Sequence, residues 1–271
     1  MKVSIISYTD ECELIVASAG KATISGKSAE EIIGSMSSEA VERWIREIIT
    51  RDHGSVLEHC VYTFSVEGIS RVASHQLVRH RIASYSQLSQ RYRKIEEEIF
   101  DVVVPPSVRK MGKQAESFFR EYADEAFKRY RDLISHGIPP EDARYILPQA
   151  VTTKLIITMN AREIMHFLSL RLCSRAQWEL RSIAWCLLRN LLKLHPNIWK
   201  WAGPRCVMIE NVIKSSPQPI IEKILADEDV DYSFVSQKCP EGIPREKIAK
   251  CILNGKRDVW EIIKNCEQSE I

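Results

Sequence analysis

No glycine-rich phosphate loop, neither GxGxxG nor GxxxxGKS/T, occurs in the 271 residues of this chain. Any nucleotide it binds must therefore be held by side chains rather than by a backbone cradle. Eight cysteines are scattered without a CxxC pair, and the seven histidines form no HExxH motif. A zinc site has no spacing support, no metal is expected, and the cysteines are expected to be buried or partly buried thiols. No apolar run approaches the ~20 residues of a spanning helix, so no membrane association is expected. The opening MKVSIISYTDECEL reads as a strand interrupted by acids, not as a signal peptide, which makes a cytoplasmic location the expectation. Internal repeats and low-complexity tracts are absent as well. A net charge of +2 gives no global pull toward nucleic acid.

One further absence is local. From Gly68 to Ile95 there is no acid, while Arg71, Arg79, Arg81, Arg91, Arg93 and Lys94 all fall there. The centre of this window, RHRIASYSQLSQRYR (79–93), mixes four arginines with serines, glutamines and tyrosines. Guanidinium groups suit phosphate because the planar fork offers parallel N–H donors and keeps its charge. The apolar residues Val72, Ala73, Leu77 and Val78 tie this charge to a packed element.

Strand and helix patterns interleave, which gives a mixed α/β or α+β class. Val3–Tyr8 is a β-branched run. Ser28 to Glu31 has the form of a capping box, and a helix from Ser37 or Ser38 carries Val41, Trp44, Ile45, Ile48 and Ile49 as far as Gly54. His59–Val66 alternates as a strand, Ile69–Arg81 reads as a helix, Ser84–Tyr92 as a loop and Phe100–Val104 as another strand. A long amphipathic helix spans Ala115–Ile134, and a short one follows Pro139-Pro140. Val151–Met159 is β-branched, and helices follow from Asn160 through Arg171 and over Gln177–Leu194. Ser215–Pro219 looks like a linker. The expected division is a main domain over 1–210 and a small helical C-terminal extension over 211–271.

Three segments are dense in polar groups at element ends: RDHGSVLEH (51–59), the basic stretch, and NAREIMHFLSLRLCSRAQWE (160–179). In the third, Asn160, Arg162, His166 and Arg171 leave Ile164, Met165, Phe167, Leu168 and Leu170 for the core. Its acids Glu163 and Glu179 could instead mark it as surface. A pyrophosphate with a flat ring system would satisfy the convergent arginines, and so would RNA stacked on Tyr85 or Tyr92. Balanced total charge and apolar framing favour an enclosed small ligand.

Arg79-His80-Arg81, then seven residues, then Ser89, with Arg91-Tyr92 following, resembles the signature of the flavin-dependent thymidylate synthases. RDHGSVLEH, Arg144 in ARYILP and the run from Asn160 to Glu179 resemble further blocks of that family. Together they cover roughly residues 1–205, and the tail lies outside.

The resemblance implies a mixed α/β fold and conversion of deoxyuridine monophosphate (dUMP) to thymidylate. The one-carbon unit would come from 5,10-methylenetetrahydrofolate and the hydride from NADPH through FAD. It also implies a homotetramer with active sites at subunit junctions. Arg171 matches the catalytic arginine, placed near uracil N3. Gln76, Leu77, Val78, Arg79, Gln87, Leu88, Ser89, Gln90, Arg91, Arg144 and Arg171 would surround dUMP. His53, Ser55, Arg79, His80, Arg81, Gln87, Asn160, Ala161, Arg162 and His166 would contact FAD. Ser89 is expected as a hydrogen-bonding group, since no histidine is fixed beside it to activate a nucleophile. The chain departs from the family pattern at Ser86, where asparagine is frequent, and at Gln87, where glutamate is. His166 likewise replaces an amide and Arg175 a histidine.

Overall fold

The structure, a computed structural model, describes residues 1–92, 101–226, 239–264 and 266. Arg93, Lys94 and Phe100 lie outside the described residues. Four strands, β1 (Lys2–Tyr8), β2 (Val61–Ser70), β3 (Ala83–Gln87) and β4 (Thr152–Asn160), form an antiparallel sheet in the order β1-β2-β4-β3. Alternation along β2 buries Tyr62, Phe64 and Val66, and along β4 it buries Leu155, Ile157 and Met159. The mixed α/β class expected from the interleaved patterns is the one found.

Two compact units divide the chain. The first comprises 1–2, 66–79 and 85–156 and holds α4 (Arg71–Leu77), α5 (Pro106–Lys110), α6 (Lys113–Ser135) and α7 (Pro140–Ala143). Its core joins Val102, Ala123 and Val151, with a second cluster of Phe127, Tyr130 and Ala143. The second comprises 3–65, 80–84 and 157–271. It holds α1 (Cys12–Ala22), α2 (Ala29–Gly34), α3 (Ser38–Thr50), α8 (Ala161–Arg171) and α9 (Trp178–Leu194). It continues through α10 (Pro196–Trp199), α11 (Arg205–Ile213), α12 (Ile221–Leu225), α13 (Arg245–Arg257) and α14 (Trp260–Lys264). Helix α9 is buried on nearly every side, with Trp185, Leu187, Leu188 and Leu191 wholly inaccessible, as expected of a helix at the centre of its unit. The C-terminal helices fasten to α9 and its flanks. Arg189 donates to the Ile263 carbonyl, and buried Lys256 donates through Nζ to the carbonyls of Ile224 and Leu225.

Several local expectations need correction. The basic helix stops at Leu77, capped at its start by Ser70, whose hydroxyl accepts from the Ala73 N–H. Arg79–Arg81 therefore lie beyond it. Ser84–Tyr92 is not all loop, because Ala83–Gln87 forms the edge strand β3, paired along β4. Phe100–Val104 contributes only a single bridge, between Val102 and Val151, among the described residues. The acids after β1 do not merely interrupt a strand: Glu11, in the left-handed region at φ 48°, turns the chain into α1. Cys12–Cys60 and Cys186–Cys266 are disulfides rather than thiols, with Cα separations of 5.4 and 6.2 Å that suit such bridges. Their partners lie 48 and 80 residues apart, so no local spacing announces them. Cys173, Cys206, Cys239 and Cys251 are free.

Candidate active site

The first unit gathers Gln76, Leu77, Val78, Arg79, Gln87 to Arg91 and Arg144. Tyr85 donates its hydroxyl to the Leu77 carbonyl at 2.9 Å, and Gln87 donates through Nε2 to Ser74 Oγ (2.9 Å) and Thr153 Oγ1 (3.2 Å). These bonds fix β3 against α4 and β4 and present the exposed turn at Ser89, whose hydroxyl accepts from the Arg91 N–H. Arg91 pairs with Glu141, and Arg144 donates through Nε to the Glu141 carbonyl at 2.9 Å. Arg71 is half-buried, and its pKa is lowered first by desolvation and then by the like charge of Arg144. Two half-buried guanidiniums that repel one another are a candidate site for an anion. Arg71 lay in the acid-free window, but nothing in the sequence singled it out.

In the second unit, His53 precedes a 3-10 turn over Gly54–His59 that carries Ser55. This turn packs against α8, where a β-carbon on Gly54 would lie 3.2 Å from Arg162 Nε. Arg162 pairs with Glu58, and the Ala161 N–H donates to the Cys60 carbonyl at 2.7 Å. Asn160 caps α8, its Oδ1 accepting from the Glu163 N–H at 2.9 Å. A cleft of about 610 Å³ opens beside His53 and Ser55, walled by Ile24, Trp44, Ile48 and Val56 with Arg43 and Arg51 at its edge. That volume suits a flat ring system. Arg81, Arg162 and His166 are exposed donors, so the donor set of this unit fits a flavin nucleotide with a pyrophosphate.

Arg171, at the C-terminal turn of α8, is half-buried, and desolvation lowers its pKa. Its Nε–H donates to His80 Nε2 at 3.1 Å. His80 is buried, and His80 Nδ1 lies 3.3 Å from Glu163 Oε1. Desolvation, then the charges of Arg171 and His166, hold the imidazole down to about 4, so it is neutral at pH 7. Glu163 and Glu179 are not surface acids but buried ones, at 6% and 3% exposure. A second cavity, of about 230 Å³, is lined by Arg171, Arg175 and Arg205 together with Cys239 and Glu241 of the C-terminal segment. Among the described residues no group of histidines, cysteines or acids could hold a metal ion.

Comparison with known proteins identifies the family. Residues 4–197 match the family described as "Thymidylate synthase complementing protein". The flavin-dependent thymidylate synthase of Sulfurisphaera tokodaii is 46% identical over 97% of this chain and 100% of that protein. That of Sulfolobus acidocaldarius is 47% identical over 94% of this chain and 95% of its own. That of Geobacter sulfurreducens is 46% identical but matches 76% of this chain and 89% of its own. Among solved structures, a UMP/dUMP methylase, PolB, from Streptomyces cacaoi, bound with 5-Br dUMP, superposes with a TM-score of 0.64 at 26% identity. The match covers 73% of this chain and 93% of that one. On its sequence, its fold and these relatives, the chain belongs to the flavin-dependent thymidylate synthase family.

Proposed function

We propose that this protein methylates dUMP to thymidylate, with FAD as its flavin, 5,10-methylenetetrahydrofolate as one-carbon donor and NADPH as reductant. The observation that carries this reading is Arg171, a half-buried guanidinium whose Nε is held by a neutral imidazole. C5 of uracil is a weak carbon nucleophile, and losing the N3 proton raises its electron density. A fixed guanidinium near N3 and O4 stabilises that anion as it forms. Arg79, Arg91 and Arg144, with Arg71, supply charge for the phosphate dianion. Ser89 and the backbone of its turn supply hydrogen bonds to the nucleotide. Gln76 to Val78, Gln87, Leu88 and Gln90 shape its surroundings.

His53, Ser55, Arg81, Asn160, Ala161, Arg162 and His166 would hold the flavin, whose bound form supplies the hydride chemistry, while His80 is buried with its ring nitrogens turned to Arg171 and Glu163. Exposed Phe118, Tyr122 and Tyr145 favour burial against further copies, in keeping with a homotetramer. Residues 211–271 are read as an extension of the catalytic domain over 1–210. No described helix is long and apolar enough to cross a membrane. The proposed enzyme is cytoplasmic and takes no nucleic-acid partner.

The test is direct. Purified protein should show flavin absorption and form thymidylate from dUMP only with both folate donor and reductant present. Arg171→Ala should abolish turnover while flavin stays bound. A colourless protein with steeply salt-dependent RNA affinity would overturn the reading.

A further inference from the structure

Arg171 does not hold its own orientation; a chain of two hydrogen bonds does. An arginine Nε–H can only donate, so the 3.1 Å bond from Arg171 requires His80 Nε2 to be the acceptor. The proton of the neutral ring must then sit on Nδ1, which faces Glu163 Oε1 at 3.3 Å. Glu163 is placed for this by its position in the first turn of α8, where its own N–H is tied to the Asn160 side chain. Glu163 and Arg171 lie at opposite ends of α8, about 12 Å apart along the axis, and the His80 ring bridges them. The ring is wedged by neighbours: Phe167 and His166 meet it edge-on at centroid separations of 5.0 and 5.8 Å.

We infer that Glu163 is a positioning residue for the transfer reaction: by accepting from His80 Nδ1–H it fixes the tautomer whose Nε2 orients the Arg171 guanidinium. The logic is that of any carboxylate–imidazole pair, in which the acid selects the tautomer and the other nitrogen acts. Without an acceptor at position 163 the ring can carry its proton on Nε2. Two donors, His80 Nε2–H and Arg171 Nε–H, would then face each other and the guanidinium would swing away. The terminal nitrogens of Arg171 would lose their aim at the ligand, while flavin and nucleotide contacts made elsewhere would persist.

This inference rests on Arg171 acting in the proposed reaction, and the experiment separates the two. Nitrogen-15 spectra of the wild-type protein should show His80 protonated on Nδ1 with an unprotonated Nε2. Glu163→Ala should move that proton to Nε2 and lower kcat roughly 10- to 100-fold, the range typical for supporting hydrogen-bond partners. KM for dUMP and flavin content should change by no more than about threefold, the mark of an interaction that acts in the transition state. Glu163→Gln, whose carbonyl still accepts from Nδ1–H, should keep the tautomer and recover most of the rate. A wild-type ring protonated on Nε2 overturns the inference whether or not the alanine variant folds. So does a Glu163→Gln protein as slow as Glu163→Ala. An inactive wild-type protein with the Nδ1 tautomer would instead count against the proposed reaction and leave the tautomer assignment standing.

Discussion

Gly54 and Arg162 sit in tight contact: a β-carbon at 54 would approach Arg162 Nε to 3.2 Å and Cδ to 3.6 Å. This contact joins the turn bearing His53 and Ser55 to the start of α8, so two segments far apart in sequence share one surface. Gly54→Ala should displace the arginine by a few tenths of an ångström. The stability cost is small, within about 1 kcal/mol, because the introduced alanine also restricts the unfolded chain. Flavin affinity should fall, by roughly tenfold if the displaced contact is worth ~1.4 kcal/mol. Flavin fluorescence titration beside a urea melt separates the two effects. Unchanged affinity would remove this turn from the cofactor site.

The sign of the acid response follows from His80. Its pKa is held to about 4 in the folded protein, against 6.5 ordinarily, chiefly by desolvation. The unfolded chain thus binds a proton here at higher pH than the folded chain does, and stability is lost as pH falls from 6.5 to 4. That shift corresponds to about 3 kcal/mol, most of it expressed by pH 4. Glu163 works in the opposite sense, since burial raises its pKa and the folded state takes up its proton more readily, so the net loss is smaller. Urea melts between pH 7 and pH 4 should show this slope, and His80→Gln should flatten it. An equal slope in both proteins would place the acid lability elsewhere.

The structure supplies a reason for the amide at Gln87. Ser74 donates its one hydroxyl proton to the Arg71 carbonyl at 3.0 Å, so toward residue 87 it can only accept. An amide N–H satisfies it; a carboxylate would oppose lone pair to lone pair. Gln87→Glu should therefore destabilise the protein by about 1–2 kcal/mol at neutral pH. The cost should shrink as the introduced carboxyl is protonated. Thermal melts at pH 7 and pH 5 are the measurement, and a variant as stable as wild type at pH 7 would show that Ser74 turns its proton around.

Much of this site was legible in sequence because its residues sit at element boundaries that announce themselves. Asn160 before α8 and Ser37 before α3 are capping signals, and each caps as its position implies. The RHR and Ser89 spacing carried the family resemblance outright. Other features had no such signal. Strand β3 reads ASYSQ, polar on both faces, and is a strand only because β4 offers an edge to pair with. Helix α1 starts at a residue without a side-chain cap, so neither cap nor boundary marked it. Glu163 read as an ordinary helix-opening acid. Its role appears only once His80, 83 residues away, is placed over it. Long-range pairing decides these cases, and no window of local pattern contains it.

The disulfides are the sharpest case of such pairing, and they give a countable outcome. Denatured without reductant, the chain should take up alkylating reagent at four positions, Cys173, Cys206, Cys239 and Cys251; after reduction it should take up eight. In the folded protein Cys206 should resist even then, because burial pushes its thiol up to about 12 and little thiolate forms. The Cys12–Cys60 bridge lies beside a buried network in which Trp199 Nε1–H donates to the Tyr62 hydroxyl at 3.0 Å. The Tyr62 hydroxyl also lies 2.8 Å from His195 Nδ1 and about 3.5 Å from both sulfurs. Breaking either bridge releases a loop of tens of residues in the unfolded chain and should cost about 2–4 kcal/mol. Cys12→Ala with Cys60→Ala should lower the melting temperature under oxidising conditions only. Equal melting of wild type with and without reductant, or eight modified cysteines before reduction, would refute both bridges.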